Sequence, residues 1–374
     1  KLTDLSPAKT RRRKDRCQLG HLPVWLATNH FCGEGFWFWT IPLQGKTSLG
    51  LVYDNRLIPP ERVCTPQKLV TWVCDEFPLF ARDLPGRRIL DHSSFRDYSY
   101  DCQQTISSSR WALAGEAGRF TDPLYSPGGD LISLYNTFIV DAILTPDRAV
   151  LREKCLRYEQ LMRAVYEAYV PSYATSYDAL GDQEAFTLKY AWELTIYFSF
   201  YVFPFINDLF TNQRFTPGFL ARFARLGPLN RRLHEFISGY FQWKKTGERH
   251  GADGPRFKDF TEVGRLKDAE KAFYAVGVTP EEALRMLDQH ISNLEEMARF
   301  IVAHITASVL ADPALVTDRV FVEGIDLKEV RFDVQEMRER HARRPGRAGT
   351  HVWPFDPEVT GRPAEDAVSE AVDA

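Results

Sequence analysis

The sequence predicts an α/β protein in the broad sense, with strands and helices segregated (α+β) along this chain of 374 residues. Three observations predict this fold class. Residues 36–53 alternate like two short strands, residues 110–143 combine a strand, a glycine-rich turn and a helix start, and helical periodicity dominates after residue 146. We therefore expect a mostly antiparallel sheet, then a strand-turn-helix segment, then a helical C-terminal region.

The sheet is predicted from a hairpin that joins Phe36–Leu43 to Thr47–Tyr53 through a Gln-Gly-Lys turn. The two-residue period of a strand puts Trp37, Trp39 and Ile41 on one face. That face would be a row of indole rings. Such a row is either the core of an ordinary sheet or the wall of a functional cavity.

Two further elements are expected between the hairpin and residue 110. A helix is predicted from Thr65 to Phe80, with Thr65 as its N-cap and proline at its first position. Arg96–Thr105 is predicted to add another strand to the same sheet. Its Tyr98 and Tyr100 would share a face, where they either pack across strands or line a substrate site.

The strand-turn-helix segment begins with Trp111–Ala114, a short apolar run of strand character. Gly115-Glu116-Ala117-Gly118 then breaks the run, and Asp122-Pro123 forces a turn. Gly128-Gly129 would let the main chain approach a ligand closely. The helix predicted over Leu131–Ile143 would point its first N–H groups at an anion or at a polar ring edge. The segment is therefore interpreted as a cofactor cradle.

The C-terminal region is predicted to be helical from Asp147, which is placed as an N-cap. Gln183–Phe210 is predicted as a second helix, broken or kinked near Pro204. Thr279 opens a capping box before a long helix. His304 lies near the apolar stripe of that helix, where it is either a satisfied core histidine or a ligand or base.

Composition restricts the function classes. The net charge of −3 gives no reason to expect nucleic acid as a partner. The six cysteines form no C-x-x-C pair, which predicts reduced thiols, a cytoplasmic location and no metal site. The uncharged aromatic run Leu194–Ile206 is shorter than a bilayer span, so no transmembrane segment is expected.

Two motifs resemble those of a known family. Gly115-Glu116-Ala117, followed by Asp122-Pro123 and Ser126-x-Gly128, resembles the G-D-A, D-P, S-x-G signature by which flavin monooxygenases and flavin-dependent halogenases bind FAD. Upstream, Trp37-Phe38-Trp39-Thr40-Ile41-Pro42 matches the W-x-W-x-I-P motif of the flavin-dependent halogenases, the tryptophan halogenase family. Two spaced motifs in the family's order are more specific than either alone.

The resemblance implies FAD as the cofactor and an oxidoreductase that modifies an aromatic or electron-rich substrate through a flavin-oxygen intermediate. It also implies a small-molecule or carrier-bound substrate and a separate flavin reductase as a possible partner. The implied cofactor-binding residues are Gly115, Glu116, Ala117, Asp122, Pro123, Ser126, Gly128 and Gly129. The last two glycines would also hold a halide through their N–H groups. The flavin-proximal motif comprises Trp37, Trp39, Ile41 and Pro42.

The chain departs from the family pattern at three positions. Glu116 stands where aspartate is usual, which keeps a carboxylate but shifts it by one methylene. Tyr125 replaces the glutamate of the enzymes that act on free tryptophan, and this favours the phenol- or pyrrole-type members. Pro127 has no N–H to offer a halide.

The resemblance also predicts a domain organisation. No G-x-G-x-x-G follows a strand, and no lysine has the context of the family's catalytic lysine, so the chain is predicted to be the C-terminal part of a longer protein. The predicted regions are a basic end of a truncated N-terminal region (1–20), a substrate-domain sheet (21–110), an FAD-binding segment (111–145), a helical region (146–328) and a disordered tail (329–374).

Two alternatives stay open from the sequence. One is a flavin monooxygenase that does not halogenate. The other is a non-catalytic helical module that docks a partner or carrier protein through the aromatic helix around Tyr197–Phe205.

Overall fold

A computed structural model describes residues 26–247, 263–344 and 349–354. The contacts divide the chain into two compact units, Lys1–Arg96 and Asp97–Ala374. The predicted basic end at residues 1–20 lies outside the described residues. The predicted region boundaries at residues 110, 145 and 328 stay predictions, whereas the predicted α+β class is confirmed by a small antiparallel sheet followed by many helices.

The first unit contains a three-stranded antiparallel sheet in the order β1-β2-β3. The predicted hairpin is confirmed, and β1 is an additional strand that the sequence patterns did not predict. A 3₁₀ turn and two helices follow. The elements are β1 (Asn29–Gly33), β2 (Phe36–Leu43), β3 (Lys46–Tyr53), the 3₁₀ turn (Pro60–Arg62), α1 (Pro66–Glu76) and α2 (Pro78–Ala81).

The two faces of β2 have different neighbours. Phe36 packs edge-on against Trp72 of α1, with ring centroids 4.9 Å apart, in a small aromatic core. On the opposite face the Trp37 and Trp39 rings lie 5.4 Å apart, which confirms the predicted row of indoles. Trp39 crosses Gly50 of β3, where any side chain would come within 2.0 Å of the indole ring.

The start of α1 is confirmed, but its end is earlier than predicted. Thr65 caps the helix by accepting a hydrogen bond from the Lys68 N–H at 3.3 Å. The helix ends at Glu76 because Phe77 precedes a proline and adopts an extended conformation. Steric clash with the proline ring disfavours helical dihedrals at that position.

The second unit is mostly helical. It begins with a two-stranded ladder of β4 (Ile106–Ser107) and β5 (Trp111–Ala112). Its helices are α3 (Pro127–Ile143), α4 (Arg148–Ala174), α5 (Gln183–Ile196), α6 (Phe203–Ile206), α7 (Thr216–Lys245), α8 (Gly264–Phe273), α9 (Pro280–Leu310), α10 (Arg319–Glu323) and α11 (Val334–Ala342). A π-helical segment, Tyr197–Val202, separates α5 from α6.

The strand predicted over Arg96–Thr105 is wrong. This stretch contains no strand and pairs only through an isolated antiparallel bridge between Tyr100 and Phe120. Its polar groups bond to the glycine-rich segment instead, as the Ser99 hydroxyl does when it donates to the Thr121 carbonyl. The backbone groups of Tyr100 and Thr105 bond to Phe120 and Leu113 at separate points, which do not form the regular alternation of a sheet.

Local sequence signals were otherwise reliable in the helical unit. Asp147 accepts hydrogen bonds from two N–H groups of α4 at 2.8 and 2.9 Å, and Thr279 forms the predicted capping box of α9. The helix beginning at Gln183 is interrupted as predicted. The interruption begins at Tyr197, because Pro204 lacks an N–H and its ring displaces the carbonyl one turn earlier.

The predicted disordered tail begins too early. Val334–Ala342 is a helix, and Trp353 is 6% exposed with its ring 5.4 Å from that of Phe300. The Trp353 indole donates to the Val316 carbonyl at 2.8 Å. Met337 of this helix is also buried, at 9% exposed, so the charged segment carries two apolar contacts to the core. Residues 355–374 lie outside the described part.

Two histidines of the bundle, His234 and His290, are buried, and His304 is partly exposed. His304 Nε2 lies 2.7 Å from the Glu184 carboxylate, so this histidine has a hydrogen-bond partner inside the unit. His290 is 5% exposed, and neither ring nitrogen has a hydrogen-bond partner within the described residues. Burial lowers the pKa of His290 to about 4, against the opposing charge of Asp268, and lowers the pKa of His234 well below its usual range.

We expect the fold to lose stability as the pH falls below about 6.5. In the unfolded chain His290 is protonated below about pH 6.5, whereas in the folded protein it stays neutral until about pH 4. The unfolded state therefore holds more protons between these two pH values, and protons stabilise it. Between about pH 7 and pH 4.5 the His290 share should be about 2–3 kcal/mol. Urea unfolding at several pH values measures the loss, and His290→Leu should flatten the dependence by that share. An unchanged slope in the variant would contradict the assignment.

Candidate functional site

The predicted cradle is continuous in the second unit and runs from β5 to α3. After β5 the chain turns at Gly115, whose φ of 55° is left-handed, and forms a 3₁₀ turn over Gly115–Ala117. It then passes the Phe120 bridge and the Asp122 turn, and enters α3. The predicted strand-turn-helix is therefore present, with a strand of only two residues.

Asp122 organises the turn before α3. Its side chain is 6% exposed, and Oδ1 accepts the Leu124 N–H at 2.8 Å. Oδ2 accepts the hydroxyls of Tyr98 and Tyr177, both at 3.1 Å. The carboxylate thus holds its own loop to two distant parts of the unit. Its predicted contact with flavin stays a prediction.

The turn itself has an unfavourable backbone. Tyr125 and Ser126 have φ values of 67° and 60°, in the left-handed region that costs non-glycine residues about 1–3 kcal/mol each. The surroundings hold it in place. Leu124 is fully buried, and its carbonyl accepts the Tyr173 hydroxyl at 3.0 Å. The Tyr125 ring lies 4.9 Å from that of Tyr190.

Helix α3 begins at Pro127, four residues earlier than the predicted Leu131. Proline suits the first helical position, where its missing N–H would have no intrahelical acceptor. Gly128 and Gly129 therefore belong to the first turn, where N–H groups lack the regular intrahelical acceptor. The Gly129 N–H donates to the Ser126 carbonyl at 3.3 Å. Ser126 and Gly129 are exposed, and no atom lies within 4 Å of the place where a Gly129 side chain would project.

Glu116 lies against this first turn. Its Oε1 is 2.0 Å from the position that a Gly128 β-carbon would occupy. The Tyr100 hydroxyl donates to the Glu116 carbonyl and fixes the backbone there. A carboxylate is stabilised at the positive end of a helix, which is the place where an external anion would bind. The chain thus places its own negative charge beside the predicted anion position.

A buried arginine fixes the glycine-rich turn from behind. Arg119 is fully buried, donates to Asp101 at 2.8 Å and also donates to Glu159 on α4. Burial would raise the pKa of Glu159, but hydrogen bonds from Arg119 and Thr105 hold it below its usual range. The network ties three separate segments together at one cation.

An aspartate in the first turn of α3, Asp130, faces the π-helical segment. The Asp130 Oδ1 accepts the Tyr197 hydroxyl at 3.2 Å. Burial raises the pKa of Asp130, and the Tyr197 hydrogen bond opposes that shift. Tyr197 in turn stacks near Tyr201, with ring centroids 6.4 Å apart. Asp130, Tyr197 and Tyr201 thus form a group of one carboxylate and two phenols next to the start of α3.

The structure brings part of the predicted site together. Gly115, Glu116, Ala117, Asp122, Pro123, Ser126, Gly128 and Gly129 all lie in the continuous segment of the second unit. Trp37, Trp39, Ile41 and Pro42 lie on β2 of the first unit.

Two buried cations of the second unit were not predicted from the sequence. Arg119 and Lys189 are fully buried although their residue types are usually exposed. For Lys189 a signal existed, because Glu193 follows it by one helical turn in an otherwise apolar stretch. Arg119 offered no such local partner.

Two classes of site find no support in the described residues. No group of three or more His, Cys, Asp or Glu side chains there is arranged to hold a metal ion. None of the helices in the described ranges is both long enough and apolar enough to cross a membrane.

Comparison with known proteins identifies relatives. No family model matches the chain. The chain is 22% identical over 201 residues to the flavin-dependent halogenase chlA of Dictyostelium discoideum, covering 50% of this chain and 33% of that protein. It is 33% identical over 135 residues to the tetracycline 7-halogenase of Kitasatospora aureofaciens, covering 34% of this chain and 23% of that protein. The chain therefore spans a third or less of these relatives, and over that part it is similar to two halogenases, one of them named as flavin-dependent.

Proposed function

We propose that the chain contributes the α3 side of the flavin site in an FAD-dependent oxidoreductase of the halogenase kind. The observation that carries the proposal is the strained turn at Tyr125 and Ser126, which delivers the open first turn of a helix at the position of the FAD signature. Strain of this kind concentrates at ligand sites, where it preorganises donors.

The residues present suit a flavin. Gly129 has free space where a side chain would project, so a planar ring edge can approach the backbone. The Gly128 N–H would face that edge and favour negative charge on it, and the Gly129 N–H would join it by exchanging its bond to the Ser126 carbonyl. When bound, the flavin would supply the oxidation chemistry with oxygen, and these residues would bind and orient it.

The halide assignment follows from the same turn. Pro127 lies at the first helical position and has no N–H, so the halide donors we propose are Gly128 and Gly129. The Gly129 N–H would have to give up its 3.3 Å hydrogen bond to the Ser126 carbonyl. Losing one charge-assisted hydrogen bond costs about 1.5–3 kcal/mol. A halide would therefore bind, but more weakly than with two consecutive donors directly after the serine.

The substrate we propose is aromatic or electron-rich, either free or carrier-bound, with a separate flavin reductase as partner. Tyr125 stands where the enzymes acting on free tryptophan carry glutamate, which favours phenol- or pyrrole-type substrates. One relative is named for tetracycline, which agrees with a phenol-type substrate. A monooxygenase that does not halogenate is the second candidate. It is favoured because Pro127 lacks the N–H that would help to bind a halide.

Binding and activity assays on the full-length protein test both candidates, the halogenase and the monooxygenase. We expect it to bind FAD, seen as a shift of flavin fluorescence, and to give a halogenated phenol, seen by mass spectrometry, when a flavin reductase, oxygen and bromide are supplied. Oxidation at the same rate without halide would replace the halogenase by the monooxygenase. Absence of FAD binding would refute both candidates.

Glu116→Gln should strengthen halide binding. The substitution removes a negative charge from the position beside Gly128, where that charge repels an incoming anion. The bromide concentration for half-maximal turnover should fall about fivefold, which corresponds to about 1 kcal/mol. Glu153→Gln, at an exposed position of α4, is the matched control. A higher bromide requirement in the Glu116 variant would show that this carboxylate assists the site.

A further inference from the structure

A buried ammonium group lies behind the turn that opens α3. Lys189 on α5 is fully buried. Its Nζ donates to Glu193 Oε1 at 2.6 Å and to the Ser172 hydroxyl at 2.8 Å. A buried charge is tolerated only when it is paired in this way. The two hydrogen bonds therefore fix the position of the ammonium group.

The pair belongs to a larger polar cluster inside the helical unit. Glu193 Oε1 lies 3.7 Å from His234 Nε2, and His234 Nδ1 lies 2.7 Å from the Ser176 hydroxyl. Burial and the Lys189 charge hold the pKa of His234 well below its usual range. The imidazole is therefore neutral, and Lys189 is the cation that balances Glu193 in this cluster.

The cluster reaches the strained turn through aromatic contact. Lys189 Nζ lies 5.7 Å from the centroid of the Tyr125 ring, within the range of a cation–π interaction. Tyr190, the next residue of α5, places its ring 4.9 Å from the same tyrosine. Two consecutive residues of one helix therefore hold Tyr125, the first of the two left-handed residues.

We propose that Lys189 is a positioning residue, and that the buried Lys189–Glu193 pair fixes Tyr125 and so holds the left-handed turn at the start of α3. The inference rests on the proposed function only for its consequence, which is that the backbone of Gly128 and Gly129 is in place before an anion or a flavin edge arrives. Such preorganisation improves binding because the ligand does not have to order the turn.

Amide hydrogen exchange of the full chain tests the proposal without any ligand. Lys189→Met combined with Glu193→Leu removes both charges and leaves neither one unpaired. We expect exchange in peptides covering residues 124–131 to become about tenfold faster, because the loss of a desolvated cation–π contact frees the turn. Peptides from α9 should keep their protection. A uniform increase along the chain, or no increase at the turn, would overturn the proposal.

A coupling measurement separates positioning from general stabilisation. Tyr125→Leu alone should also accelerate exchange at the turn about tenfold. Adding it to the Lys189/Glu193 double variant should give no further increase, because both changes remove one interaction. Rates that multiply to about a hundredfold would refute the link. Should the double variant fail to fold, Tyr125→Phe must leave exchange unchanged while Tyr125→Leu accelerates it.

A second lysine of the same unit provides the control. Lys244 pairs with Asp182 at 2.5 Å, and its Nζ lies 5.3 Å from the Tyr240 ring centroid. It therefore makes the same two kinds of contact as Lys189, but with other residues than Tyr125. Lys244→Met should leave exchange at residues 124–131 unchanged. FAD titration of each variant keeps the two proposals distinguishable. If no variant and no wild-type protein binds FAD, the proposed function fails while the exchange coupling still decides the role of Lys189.

Discussion

Asp122→Ala is expected to lower the free energy of unfolding by about 3–5 kcal/mol. The substitution leaves three donors without their acceptor, namely the Leu124 N–H and the hydroxyls of Tyr98 and Tyr177. Each unsatisfied buried donor costs about 1–3 kcal/mol, and the phenols recover part of this by turning to other acceptors. Urea unfolding measures the change, and FAD titration should show weaker binding because the turn is released.

Asp326 provides the matched control for that experiment. Its Oδ1 accepts the Lys328 N–H at 2.8 Å in the same local arrangement, but the side chain is exposed. Asp326→Ala should cost less than about 1 kcal/mol. A similarly small loss for Asp122→Ala would show that the tyrosine hydrogen bonds contribute little and that the turn is held in another way.

Arg119→Met should destabilise the second unit by about 3–5 kcal/mol, because it leaves the partly buried Glu159 without its cation. Asp101 loses the same partner, at 2.8 Å. Urea unfolding near pH 7 measures the loss. Adding Glu159→Gln should recover part of it, since the unpaired charge is then removed.

Arg319 tests whether the effect comes from burial. Arg319 pairs with Glu323 at 2.8 Å, but both side chains are more than half exposed. Arg319→Met should therefore change the stability by less than about 0.5 kcal/mol. Equal losses for the Arg119 and Arg319 variants would mean that Arg119 acts as an ordinary surface pair.

Much of the fold could be predicted from the sequence because the signals are local. The alternation of Phe36–Leu43 requires only the two-residue period of a strand, and it placed the indoles on one face. The caps at Thr65, Asp147 and Thr279 were predictable because each side chain bonds to backbone within three residues.

The failures occur where contacts outside the local stretch decide the structure. Arg96–Thr105 has the composition of a strand, but its partners lie in the glycine-rich segment rather than in the hairpin. The start of α3 was placed too late because Gly128 and Gly129 indicate a loop by propensity. Their helical conformation follows from Pro127 and from the anchored turn before it.

The sequence by itself determined the order of elements, the caps, and the likeness to flavin-dependent halogenases, because periods, capping bonds and motifs are read within a few residues. Only the tertiary structure decided what holds the candidate site. The partners of Asp122 lie 24 and 55 residues away, and the Glu193 carboxylate meets the Ser172 hydroxyl 21 residues before it. Such contacts depend on how helices pack, and packing is a property of the whole unit rather than of any stretch of its chain.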